Sequence, residues 1–85
     1  MQQAKDQAQG SGVTELDASG LKCPMPVLRA NRALRGVAPG ALLRVRATDP
    51  AAQRDFPAFC QTTGHELVES RADGGAWVFL LRKKG

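Results

Sequence analysis

Tyrosine is absent from this sequence, and its 85 residues hold only one tryptophan, three phenylalanines and one histidine. None of these rings interleaves with basic residues as a stacking surface for single-stranded nucleic acid requires. Two cysteines, Cys23 and Cys60, are too few for a disulfide scaffold, and with one histidine they do not make a tetrahedral metal site. Glycine-rich phosphate loops and paired carboxylates are also missing. No run approaches the roughly 18 apolar residues of a membrane span. The polar opening MQQAKDQAQGSG has no apolar signal core. These absences point to a cytoplasmic protein with no membrane partner, no metal and no cofactor, whose thiols stay reduced or buried rather than bridged.

What is present fits one small domain. A chain of this size buries only about 60–65% of its unfolded surface, so chemistry is expected at the surface rather than in an enclosed cavity. The net charge of +4 suits an acidic partner or nucleic acid, and suits a plain basic surface equally well. Residues 1–12 lack periodicity and read as a disordered tail ahead of a domain at 13–85. Val13–Leu16 reads as a short strand ended by Asp17, Ser19 and Gly20. From Pro24 onward, Val27, Ala30, Leu34 and Val37 mark one face of a helix, with Arg29, Arg32 and Arg35 on another. Gly36 and Pro39-Gly40 stop it. Leu43, Val45 and Ala47 alternate with Arg44 and Arg46 as a half-buried strand.

Asp49-Pro50 predicts a helix N-cap with proline at the first helical position. Ala52, Phe56, Phe59 and Cys60 form the buried stripe of that helix, which places Cys60 in the core as an inert thiol. Pro57 predicts a kink, or a restart capped by Asp55, and Gly64 a stop. Two apolar runs around Asp73-Gly74-Gly75 read as a hairpin. The order β-α-β-α-β-β predicts an α+β fold: a two-layer α/β sandwich with two helices packed on a four-stranded mixed sheet.

The chemistry concentrates at Cys23. A residue before proline is disfavoured in the α region, so Cys23 is expected as an N-cap, with Pro24 first and Pro26 third in the helix. The helix dipole and neighbouring Lys22 would favour the thiolate there, and the Met25 N–H is the one first-turn donor left to reach the sulfur. A cysteine that merely caps the helix is the plainer alternative. No Cys-X-X-Cys partner exists for thiol exchange, and His65 is expected at a strand edge, away from Cys23. A lone activated thiol without base or metal suits a residue that carries a group.

The stretch LDASGLKCPMPVL resembles the Cys-Pro-X-Pro signature of the TusA, or SirA-like, sulfur carriers. The resemblance continues through PG…LLRVRATDP, QRDFPAFCQTTGHELVES and FLLRKKG, covering residues 14–85. It implies the same two-layer sandwich, and a sulfurtransferase role in which Cys23 accepts sulfane sulfur as a persulfide. The implied donor is a cysteine desulfurase or a similar protein, and the implied recipient a downstream sulfur-acceptor protein. In the family such relays lead to tRNA 2-thiouridine, molybdenum cofactor or sulfur oxidation. Asp49, Arg54, Asp55 and Pro57 match the family's second motif and are expected to shape the surface near the thiol, although capping and ion pairing alone would also explain them. Leu28 is either a partner contact beside Met25 or part of the core. Lys22, Arg29 and Arg32 would steer acidic partners. A monomer without direct nucleic-acid binding is expected; an RNA-binding module and a thiol redox regulator are the rival readings.

Overall fold

The structure, a computed structural model, describes residues 13–85; the tail expected at 1–12 lies outside them. Six elements follow one another: β1 (Val13–Ala18), α1 (Met25–Arg35), β2 (Leu42–Ala47), α2 (Ala52–Thr63), β3 (Glu66–Asp73) and β4 (Ala76–Arg82). The sheet order is β1-β2-β4-β3. β1 and β2 are parallel, and β2–β4 and β4–β3 are antiparallel. This is the expected α+β sandwich, two helices on one face of a mixed four-stranded sheet.

Period-2 patterning sets which face is covered. Leu43, Val45 and Ala47 of β2 are fully buried, and they pair with Leu81, Phe79 and Trp77 of β4. Ala30 and Leu34 of α1 and Ala52, Phe56, Phe59 and Cys60 of α2 close over them. Phe56 and Phe79 stack with ring centroids 4.6 Å apart. Burying each ring contributes about 1.5–3 kcal/mol.

The opposite sheet face carries charge instead. Arg44 pairs with Glu15, Arg46 with Asp73, Arg71 with Glu69 and Arg82 with Glu66. Arg46 reaches from β2 across β4 to the end of β3. The β3–β4 turn is tight because Gly74 and Gly75 take φ of 53° and 83°, which L side chains rarely adopt. A register shift between Leu67 and Glu69 leaves Val68 exposed on this edge strand.

Two boundaries differ from the sequence expectation. β1 runs two residues further than predicted, because parallel pairing with β2 continues to Ala18–Ala47. In α2 no restart occurs at Pro57: the helix is continuous from Ala52 to Thr63. Proline removes one bond of the helical ladder, but Phe56, Phe59 and Cys60 on either side are buried, and that burial outweighs the loss. Gly64 then ends α2 at φ 91° and donates its N–H to the Cys60 carbonyl at 2.9 Å.

Because β1 and β2 are parallel, the loops that follow them leave the sheet at the same edge. Both helices therefore begin at that edge. The candidate site lies there, at the carboxyl ends of the parallel strands.

Candidate functional site

Cys23 sits in the loop between β1 and α1, exposed, as a free thiol. Two hydrogen bonds fix this loop to the one after β2. The Gly20 N–H donates to Thr48 Oγ1 at 2.8 Å, and the Cys23 N–H donates to Asp49 Oδ2 at 2.7 Å. The other carboxylate oxygen, Oδ1, accepts the Ala51 N–H at 3.1 Å. Asp49 thus bridges both loops, and these bonds, with Lys22 nearby, hold its carboxyl below the usual carboxylate value. Gly20, Leu21, Lys22, Thr48, Asp49 and Pro50 line a shallow groove of about 290 Å³ next to the thiol.

The helix start differs from expectation by one residue. Pro24, not Cys23, is the N-cap, with φ −99° and ψ 15°, and Pro26 lies in the first turn and is buried. Cys23 therefore stands one residue outside the helix, across a cis peptide bond to Pro24. The Met25 N–H does not turn to the sulfur; it donates to the Lys22 carbonyl at 2.8 Å and closes a turn. The N-cap expected at Asp49 lies similarly: α2 proper starts after Ala51, and Asp49 accepts N–H groups of the turn that leads into it.

The electrostatics at the sulfur also run opposite to the expectation. Asp55 is no cap. It stands in the first turn of α2, its side chain 21% exposed, with Arg54 Nε 3.3 Å from its Oδ1. Hydrogen bonding to the Asp55 carboxylate, followed by partial desolvation and the charges of Asp55 and Asp49, pushes the Cys23 thiol above its ordinary value. The Arg54 guanidinium opposes the rise without cancelling it. Lys22 acts on Asp49 instead. The reason is tertiary: the loop after β2 and the first turn of α2 bring Asp49 and Asp55 to this end of the sheet, against one residue of neighbouring charge in the sequence.

The remaining predicted residues separate into two groups. Met25 (38% exposed) and Leu28 (51% exposed) lie on the solvent side of α1, so Leu28 is not a core residue. Arg29 and Arg32 follow at i+4 and i+7 from Met25, also exposed, and no carboxylate pairs with either among the described residues. Together they form a stripe leading away from the thiol. Cys60 is buried, and burial pushes its thiol up. His65 stands just before β3, its ring centroid 5.8 Å from that of Phe59, and its Nδ1 accepts the Lys84 N–H at 3.1 Å. It therefore lies at the C-terminal ends of the helices, a helix length from Cys23. Thr48 is the site residue that sequence reasoning missed. Its only local signal is a hydroxyl at the exit of β2, and what it bonds is decided by the parallel pairing. Among the described residues no cluster of histidine, cysteine and carboxylate could hold a metal ion, and no helix is long and apolar enough to cross a membrane.

Comparison with known proteins gives one direction. The family model described as Sulfurtransferase TusA matches residues 14–83. A sulfur carrier protein TusA of Allochromatium vinosum is 52% identical over 69 residues, 81% of this chain and 91% of that one. One from Pseudomonas paraeruginosa is 51% identical over 69 residues, 81% of this chain and 87% of its own. Among solved structures, a SirA-like protein from Desulfitobacterium hafniense superposes with a TM-score of 0.73 at 23% identity, covering 86% of this chain and 99% of that one. At that identity it shows the fold alone.

Proposed function

The chain belongs to the TusA sulfurtransferase family, and from that premise we propose that it is a sulfur carrier whose cargo rides as a persulfide on Cys23. The observation that carries this reading is the exposed thiol held by two tied loops at the common start of both helices. A carrier meets two partner active sites in turn, so its sulfur must protrude and its own acid–base groups can be few. In loading, the Cys23 thiolate attacks the outer sulfur of the donor's persulfide. A new S–S bond forms on Cys23, the donor's S–S bond breaks, and the donor leaves as a thiolate that takes up a proton. Delivery repeats the exchange with Cys23 as the leaving thiolate.

The donor in this reading is a cysteine desulfurase or a similar protein, and the acceptor a downstream carrier in tRNA 2-thiouridine formation or another sulfur-trafficking pathway. The stripe Met25, Leu28, Arg29 and Arg32 offers apolar contact and unpaired positive charge beside the thiol. It suits docking of an acidic partner surface. The rival RNA-binding reading finds little support. Trp77 and Phe79 face the helices, and the arginines of the open sheet face are paired.

The test is intact-mass measurement after incubation with a cysteine desulfurase and free cysteine. The wild type and Cys60→Ser should each gain one sulfur atom that reductant removes, and Cys23→Ser should gain none. A wild type that stays unloaded beside an active desulfurase, or a Cys23→Ser variant that still loads, would refute the assignment.

A further inference from the structure

The bonds that tie the two loops together all fall on main-chain N–H groups, and none falls on the sulfur. Adjacent residues of the loop after β2 supply both acceptors. Thr48 Oγ1 takes the Gly20 N–H at 2.8 Å, and Asp49 Oδ2 takes the Cys23 N–H at 2.7 Å. Asp49 Oδ1 takes the Ala51 N–H at 3.1 Å, so the carboxylate is anchored on its own loop while it holds the other. Within the cysteine loop, the Leu21 N–H donates to the Ala18 carbonyl at 3.2 Å and the Met25 N–H to the Lys22 carbonyl at 2.8 Å. Every donor in this set is backbone. The set can therefore be made alike whether Cys23 carries a thiol, a thiolate or a persulfide, whereas any bond to the sulfur changes with each of those states.

Resting on the carrier reading above, we propose that Thr48 and Asp49 are positioning residues: they clasp the backbone of the Cys23 loop independently of cargo, so that donor and acceptor meet the sulfur in one place. A carrier performs two exchanges in which its role reverses. In loading, the Cys23 thiolate attacks the donor's outer sulfur and the donor's S–S bond breaks. In delivery, the acceptor's thiolate attacks the outer sulfur held by Cys23, and Cys23 leaves as a thiolate. Both exchanges need the attacking and leaving sulfurs aligned through the sulfur between them, and this chain contributes to that by placement. Asp49 is specific for its task. Its two oxygens each meet an N–H, and an asparagine in either orientation would turn its NH2 group on one of them. Thr48 acts through a hydroxyl oxygen, which serine retains and valine removes.

Amide exchange by NMR, in a Cys60→Ser background, tests the clasp without a sulfur donor. Protection of the residue-23 amide should agree within about twofold among the free thiol, its mixed disulfide with 2-mercaptoethanol and Cys23→Ala. Asp49→Asn should speed exchange at this amide about tenfold; Thr48→Val should do the same at Gly20, and Thr48→Ser should restore it. The second measurement is sulfur uptake from a cysteine desulfurase with the carrier as varied substrate. Asp49→Asn and Thr48→Val should lower kcat about tenfold with KM little changed, and Thr48→Ser should recover the parent rate. Reaction of the same variants with 2-hydroxyethyl disulfide, corrected for thiolate fraction from its pH profile, should stay within about twofold, because a small reagent needs no placement. Circular dichroism checks each fold; should Asp49→Asn fail to fold, the two Thr48 variants and Cys23→Ala decide. Protection that follows the state of residue 23, unchanged exchange in the folded variants, undiminished uptake, or an equal loss with the small disulfide would overturn the proposal. A wild type that never takes up sulfur would remove the carrier assignment instead, with amide exchange still deciding whether the clasp is independent of cargo.

Discussion

The two ends of the helical layer are built with opposite charges and for opposite purposes. Where the helices begin, carboxylates gather: Asp49 accepts the N–H groups of Cys23 and Ala51, and Asp55 stands in the first turn of α2. Where the helices end, lysines gather. Lys83 Nζ donates to the Val37 carbonyl at 2.8 Å, just past α1, and Lys84 Nζ to the last carbonyl of α2, Thr63, at 2.7 Å. Each charge suits the helix dipole it meets. The far end is closed further by the Gly40 N–H on the Lys83 carbonyl and the Lys84 N–H on His65. At the thiol end the same logic stops short, and the sulfur is left exposed among its carboxylates. One end spends its polar groups on the fold; the other reserves them for a reagent.

The largest effect that breaks this contrast comes from the element both ends share. Phe56 is fully buried at the middle of α2 and stacks on Phe79. Phe56→Ala should cost about 3–5 kcal/mol in chemical denaturation. Because α2 supplies Asp55 to one end and Thr63 to the other, amide exchange should quicken at both. Quickening confined to one end would mean that the ends are held independently.

A smaller effect should sharpen the contrast. Lys84→Met removes the ammonium from the end of α2 and should cost about 0.3–1 kcal/mol, with Cys23 alkylation unchanged. Asp49→Ala, by comparison, should free the Cys23 and Ala51 amides to exchange and alter alkylation, while exchange at Thr63, Gly64 and His65 stays as it was. Crossed effects in either variant would show coupling through the helices.

This division explains what could be read from the sequence. β2, the hairpin turn and the buried stripe of α2 were legible because each rests on local period or local backbone preference: Leu43, Val45 and Ala47, then Gly74-Gly75, then Phe56, Phe59 and Cys60. Cys23 was legible as an exposed thiol at a helix start from its neighbours Pro24 and Pro26. Its electrostatics were not, because Asp49 and Asp55 lie 26 and 32 positions along the chain and reach it only once β1 and β2 pair in parallel. Of the two outcomes expected at Pro57, a kink or a restart capped by Asp55, the restart does not occur, for a related reason. Proline's local cost at Pro57 is real, but burial of its neighbours decides the helix.

The smallest effect separates the ends by pH. Burial, then Lys84 and Lys83, hold His65 below its ordinary 6.5, and its Nδ1 must give up the Lys84 N–H if that nitrogen is to take a proton. Between the lowered folded value and 6.5 the unfolded chain binds more protons than the folded one, so stability falls as pH drops through that window. Asp49 is also lowered when folded, from 3.8, so its stabilisation is intact above that value and is lost only as pH falls further, through its folded value. Acid should therefore loosen the far end first and the thiol end later. Amide exchange read from pH 7 downward should show Lys84 and its neighbours opening below 6.5 while the Cys23 amide stays protected, and His65→Gln should abolish that first step. If both ends opened together, or His65→Gln kept the step, the ends would not be distinct electrostatic units, and the carboxylates around Cys23 would have to be reread as part of one field spanning the helices.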